Sequence, residues 1–128
     1  MEITVKELEQ AELITVKGRL DSVEAPRFAQ ALETANQRGK YKIIVDMSQL
    51  EYMSSAGFRT LGEVQRNSKR HNRGEVLLVQ IPDNIHNALE MVGFANYFHT
   101  FKDLDSALAF AANMPVDDSN KDALPPLA

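Results

Sequence analysis

Tyr41-Lys42-Ile43-Ile44-Val45-Asp46 is the stretch that decides the fold. Its centre is an unbroken apolar run, as expected of a strand covered on both faces in a helix-flanked sheet. Glu75-Val76-Leu77-Leu78-Val79-Gln80-Ile81 repeats the pattern. Between the two runs a helix starts around Ser54 and Ser55. It carries Phe58, Leu61 and Val64 on one face and ends at Gly74. Strand, helix, strand in that order is the crossover unit of a parallel pair.

Toward the N-terminus, Glu2-Ile3-Thr4-Val5-Lys6 and Glu12-Leu13-Ile14-Thr15-Val16-Lys17 alternate with period two and read as paired strands, joined by a polar turn. A helix follows from near Ser22, with Pro26 in its first turn, Phe28, Ala31, Leu32 and Ala35 inward and Gly39 at its end. Toward the C-terminus, Asp83 caps a helix carrying Ile85, Ala88, Leu89 and Val92, closed by Gly93. A last strand lies near Tyr97 to Phe101. Asp103 then caps a helix with Leu104, Ala107, Leu108 and Ala111 inward. The fold class is α/β: one domain over residues 1–112, a mixed β-sheet with amphipathic helices packed on it. Residues 113–128 have no periodicity and include Pro115, Pro125 and Pro126, so they are expected to form a disordered tail.

Composition removes whole classes of function. The 128 residues are 44% hydrophobic and 25% charged, ordinary for a globular domain, and include no cysteine. That excludes thiolate catalysis, disulfides and thiolate metal sites. No apolar run reaches the ~18 residues of a membrane span and the N-terminus has no signal-peptide pattern, so the expected compartment is the cytoplasm. The net charge of -4 argues against a nucleic-acid partner. His71, His86 and His99 fall on three separate elements without metal-ligand spacing, so no metal site is expected. Asp46 lacks the acidic pair and lysine of phosphoryl-acceptor chemistry, and reads as a carboxylate bonded to loop amides. Met53-Ser54-Ser55-Ala56-Gly57 lacks the first glycine of a nucleophile elbow. Nothing specific supports an enzyme or a bound cofactor.

Two features remain. Arg66, Arg70 and Arg73 recur at helical spacing, either complementing the helix dipole or forming a docking stripe for an acidic partner. Ser54 and Ser55 stand where a loop becomes a helix. A serine there is an N-cap, or a phosphorylation site whose added dianion the helix amides can hold.

With these motifs the chain resembles the anti-sigma-factor antagonists, the single-domain members of the STAS family. Their pattern is Gly-x-Leu-Asp after the second strand, an aspartate-ended strand, then Met-Asp-Ser-Ser/Thr-Gly-Leu opening a helix. Here stand Gly18-Arg19-Leu20-Asp21, Val45-Asp46-Met47-Ser48 and Met53-Ser54-Ser55-Ala56-Gly57-Phe58. Anchored on Met53 and Gly57, the resemblance puts the family's phosphorylated serine on Ser55, with Asp21, Ser54 and Gly57 around it. It implies a bacterial protein with no catalysis of its own. Unphosphorylated, it would bind an anti-sigma factor, a serine kinase of the histidine-kinase-like ATPase type that brings its own nucleotide, and so free the sigma factor. A phosphatase would reset the switch. Phe58, Arg59, Arg66 and Arg70, on the helix that Ser55 begins, are the expected partner contacts. Ser54 replaces the usual aspartate and Ala56 the usual Ser or Thr. The first change removes a negative charge beside the incoming phosphate. It leaves open a second reading, an unphosphorylated STAS module that regulates a transporter or binds a small ligand.

Overall fold

A computed structural model describes residues 1–114. The elements are β1 (Glu2–Glu7), β2 (Glu12–Leu20), α1 (Ala25–Gln37), β3 (Lys42–Met53), α2 (Ser55–Lys69), β4 (Glu75–Val79), α3 (Asp83–Met91), β5 (His99–Phe101) and α4 (Leu104–Ala112). The five strands lie in chain order in one sheet. β1 is antiparallel to β2, and every later neighbour is parallel.

Both faces of the sheet are covered, which is why the runs Ile43–Val45 and Val76–Val79 carry no polar break. On one face Ile14, Val16, Ile43, Val45, Val76 and Leu78 meet α1, α2 and α3 through Phe28, Leu32, Leu61 and Leu89. On the other, Ile44, Leu77 and Val79 meet Ala107 and Ala111 of α4. The α/β mixed sheet expected from the sequence is therefore present.

Buried polar side chains tie these layers together. Gln65, fully buried on α2, accepts from Val76 N at 2.6 Å and donates to Tyr97 O at 2.9 Å, joining α2, β4 and the loop before β5. Asn36 of α1 accepts from Asn67 of α2 at 2.6 Å and donates to Lys40 O at 2.9 Å. Each satisfies donors and acceptors that would otherwise be buried without partners.

Several boundaries differ from expectation, each for a local reason. α1 starts at Ala25 rather than Ser22, because Asp21 Oδ1 accepts from Val23 N and Glu24 N and holds that stretch in a turn. β3 runs on to Met53 instead of stopping at Asp46, pairing with the second half of β2 down to Leu20 opposite Met53. α2 ends at Lys69, and the chain turns through positive φ at His71 and Asn72, so Gly74 is not the terminator. Gly74 is instead pressed against the Tyr41 backbone, where a Cβ has no room. Pro82, not Asp83, occupies the N-cap of α3. Asp103 caps α4 as expected, accepting from Ser106 N at 2.8 Å. Asn113 and Met114, assigned to the tail, bond back to Ala109 and Ala111 at the end of α4. Residues 115–128, with the disorder expected of them, lie outside the described residues.

Candidate functional site

The parallel connections bring the starts of α1, α2 and α3 to one edge of the sheet, beyond the C-terminal ends of β2, β3 and β4. There the β2–α1 and β3–α2 junctions touch directly, for Ser54 N donates to Leu20 O at 2.8 Å and extends the ladder by one bond. Asp21 follows Leu20, so this bond sets Asp21 beside the start of α2. α3 closes the other side, where Asn84 Nδ2 donates to Glu51 O at 3.2 Å.

Ser54 and Ser55 have different duties. Ser54 has extended φ/ψ, and its Oγ accepts from Gly57 N at 3.4 Å: it is the N-cap of α2. Its carbonyl takes the first helical bond, from Phe58 N at 3.1 Å. Ser55 is the first helical residue, with an exposed side chain. No acidic residue lies in the first turn, so no like charge there opposes an anion at the free amides. Arg59 is exposed one turn on, at i+4 from Ser55, on the same helix face.

Gly57 explains how this helix start sits so tightly on the strand ends. A Cβ there would lie 2.7 Å from Met53 Cγ and 2.8 Å from Leu20 Cδ2, inside contact distance of both. The Asp21 carboxylate is engaged by the Val23 and Glu24 amides and shapes the neighbouring loop. Val23, at the tip of that loop, is 80% exposed, and Arg19 lies 4.5 Å from the centre of the half-exposed Tyr52 ring near the same edge.

Other expected contacts are not gathered here. Phe58 is 5% exposed and belongs to the core, which corrects its assignment as a partner contact: position 58 faces the sheet, as the helical spacing with Leu61 requires. Arg66 and Arg70 are exposed, but they stand about 16 Å and about 22 Å along the helix axis from Ser55. Arg73 is not part of a stripe. The helix has ended before it, and its guanidinium donates to Tyr41 Oη at 3.0 Å and Asn67 O at 2.7 Å while lying 4.0 Å above the Tyr41 ring. It is a structural cap for the end of α2. Asp46 accepts from Ser48 N at 2.9 Å, the local amide bond expected of it. His99, the first residue of β5, pairs with Glu75, the first residue of β4, at the edge of the sheet opposite the strand ends where α2 starts. The contribution of Gly57 was open to sequence reasoning only as a motif letter, and that of Val23 and Tyr52 carried no signal.

The sequence profile of the STAS domain matches residues 2–107. BtrV of Bordetella bronchiseptica, named as a candidate anti-sigma factor antagonist, is 24% identical over 109 residues, which cover 85% of this chain and 93% of BtrV. An anti-sigma factor antagonist from Mycobacterium paratuberculosis superposes with a TM-score of 0.77 at 20% identity, covering 88% of this chain and 94% of that one. The Bacillus cell fate determinant SpoIIAA, in its phosphorylated form, superposes with a TM-score of 0.67 at 15% identity over 84% and 97% of the two chains. At such identities the structural likeness speaks for the fold.

Proposed function

The chain belongs to the STAS domain family, and on that premise we propose that it is an anti-sigma-factor antagonist switched by phosphorylation of Ser55. The observation that carries the reading is the division of labour between the two serines: Ser54 is held as the helix cap, while Ser55 is exposed at the first helical position. In this reading the protein performs no catalysis. Unphosphorylated, it binds an anti-sigma factor and releases the sigma factor held by it, in the bacterial cytoplasm. The partner is a serine kinase of the histidine-kinase-like ATPase type, and a phosphatase restores the active form. The names of BtrV and of the Mycobacterium paratuberculosis protein support the assignment.

A phosphate on Ser55 adds about -1.5 to -2 charges where free amides and the dipole end accept them. Arg59, one turn along, is close enough in sequence to share that charge. The fold therefore tolerates the modification, and its effect falls on the surface. A dianion in the contact face must be desolvated, and it repels any facing carboxylate. A loss of ~3 kcal/mol lowers affinity roughly a hundredfold.

The test is phosphopeptide mapping after incubation with the co-purifying kinase and ATP, alongside binding measurements. Phosphate is expected on Ser55. Ser55→Ala should bind the partner constitutively, whereas Ser55→Asp should bind weakly yet melt close to wild type. Ser54→Ala should lose about 1 kcal/mol of stability as a missing cap and keep its regulation. Phosphate on Ser54 would overturn the assignment. An unmodified pair of serines, together with co-purification of a transport complex, would favour the transporter-regulating reading.

A further inference from the structure

Among the described residues β1 has a neighbour on one side only, and its outer edge is open. Beside it, between β1 and α1, runs a groove of about 410 Å³ lined by Ile3, Val5, Ala31, Gln30 and Thr34. Val5 is 44% exposed there. The arginines at the ends of this groove are already paired, Arg27 with Glu24 and Arg38 with Glu12. An open strand edge beside exposed aliphatic surface invites another strand.

The residues of β1 select that strand. We propose that β1 pairs antiparallel with β1 of a second copy of this chain, about a twofold axis at Thr4. In this register Ile3 stands opposite Val5 of the second copy, Glu2 opposite Lys6, and Thr4 opposite itself. The Glu2–Lys6 and Ile3–Val5 pairs each occur twice by symmetry, and like side chains stay on like faces of the sheet.

The pairing inside the chain extends the match. Glu2 already faces Lys17 of β2, so it comes to lie between two lysines, Lys17 and Lys6 of the second copy. Val5 faces Ile14 and Ile3 faces Val16. The dimer thus continues one aliphatic row over the α1 side of the sheet and one row of alternating charge over the other. Such cross-strand pairs are the unit that stabilises a sheet. Shifting the register by two residues one way sets Ile3 against Glu7, and the other way leaves Lys6 without a facing residue. Lysine on an edge strand commonly blocks edge pairing. Here Glu2 sits at the one spacing that turns the block into an attraction.

The pairing uses the edge of the sheet away from Ser55, so it stands or falls independently of the phosphorylation reading. The test is sedimentation velocity of the full chain from about 10 μM to about 1 mM, the range of modest protein–protein affinities. A dimer is expected. Lys6→Glu and Glu2→Lys each set like charges against one another twice, and each should raise the dimer dissociation constant at least tenfold without lowering the melting temperature. An equimolar mixture of the two restores opposite charges at every position and should recover the dimer. Val5→Lys, which sets a charge against Ile3 of the second copy, provides a variant of independent chemistry. A wild-type chain still monomeric at about 1 mM would overturn the proposal. So would a dimer that survives these substitutions, or a mixture that stays monomeric.

Discussion

Gly57→Ala sets two opposed effects against each other at the start of α2. Alanine is the better helix former by about 1 kcal/mol in a helix interior, and somewhat less in a first turn. Against that, the new Cβ would lie 2.7 Å from Met53 Cγ and 2.8 Å from Leu20 Cδ2, where carbon atoms prefer about 3.5–4.0 Å. Met53 and Leu20 are both buried, so neither side chain has open space to move into. Overpacking of this kind costs about 1–3 kcal/mol. The clash should outweigh the propensity, leaving a net loss of about 1–2 kcal/mol. At about 4 °C per kcal/mol for a domain of this size, the melting temperature should fall by about 4–8 °C. A double-mutant cycle with Met53→Ala isolates the cause. Met53→Ala alone opens a cavity and costs about 2–5 kcal/mol, but it also removes the atom that the new methyl meets. The double variant should therefore be at least about 1 kcal/mol more stable than the sum of the single losses. A Gly57→Ala protein that melts at or above wild type, or a cycle without coupling, would refute the close-approach argument.

Other residues give shorter tests. Phe58→Ala should cost about 3–5 kcal/mol in urea unfolding, as a core truncation does, so loss of binding in that variant should track loss of fold. Arg66→Glu with Arg70→Glu should change stability by less than about 0.5 kcal/mol. It should slow association with the anti-sigma factor, most strongly at low salt, and unchanged kinetics would leave both arginines as solvated charge. Asp103 supplies a pH signature. The backbone N–H of Ser106, with its hydroxyl second, holds the carboxyl below the usual aspartate value, so the charged form is favoured in the folded state. That contribution is complete above the unfolded-state pKa and disappears as pH falls through the lowered folded value. Asp103→Ala should show a smaller drop in urea midpoint than wild type on acidification from about pH 5 to about pH 2.

The parts of the fold that were legible are those where one periodicity rules an element. Ile43-Ile44-Val45 and Val76-Leu77-Leu78-Val79 announced two-sided burial, and both runs are flanked by helices on each face. The second half of β3 was hidden, and its register explains why. Between Thr15–Asp46 and Lys17–Gln49, and again between Gly18–Leu50 and Arg19–Tyr52, β3 carries one residue more than β2. Each extra residue is a bulge that resets the alternation. The buried positions are therefore Met47, Leu50 and Met53, a spacing of three that does not look like a strand. At the end of α2 the concealment was conformational: His71 and Asn72 break the helix at positive φ, which residue type only weakly signals. The candidate site was readable as a motif. The separate duties of Ser54 and Ser55 depend on which serine has extended backbone, and only the three-dimensional structure distinguishes them.

The bulges also bear on where the site sits. They lengthen the β2–β3 pair beyond Asp46↔Val79, the last paired position of β3 with β4, and carry the β3–α2 junction several residues past the end of β4. Ser55 is therefore presented on a raised rim made by Leu20, Met53 and the turn at Asp21, rather than in a crevice between strands. A crevice suits a small ligand that must be enclosed, whereas a rim suits a protein surface that must approach and leave. The proposed phosphate on Ser55 would meet the amides of α2 without displacing a packed side chain, because Ser54 caps the helix and Gly57 fits the strand ends. The same geometry separates the two proposed surfaces. One, the proposed phosphorylation site, lies at the C-terminal edge of the parallel strands. The other lies along the free edge of β1, where the pairing is fixed by sequence and nothing in the switch needs to move.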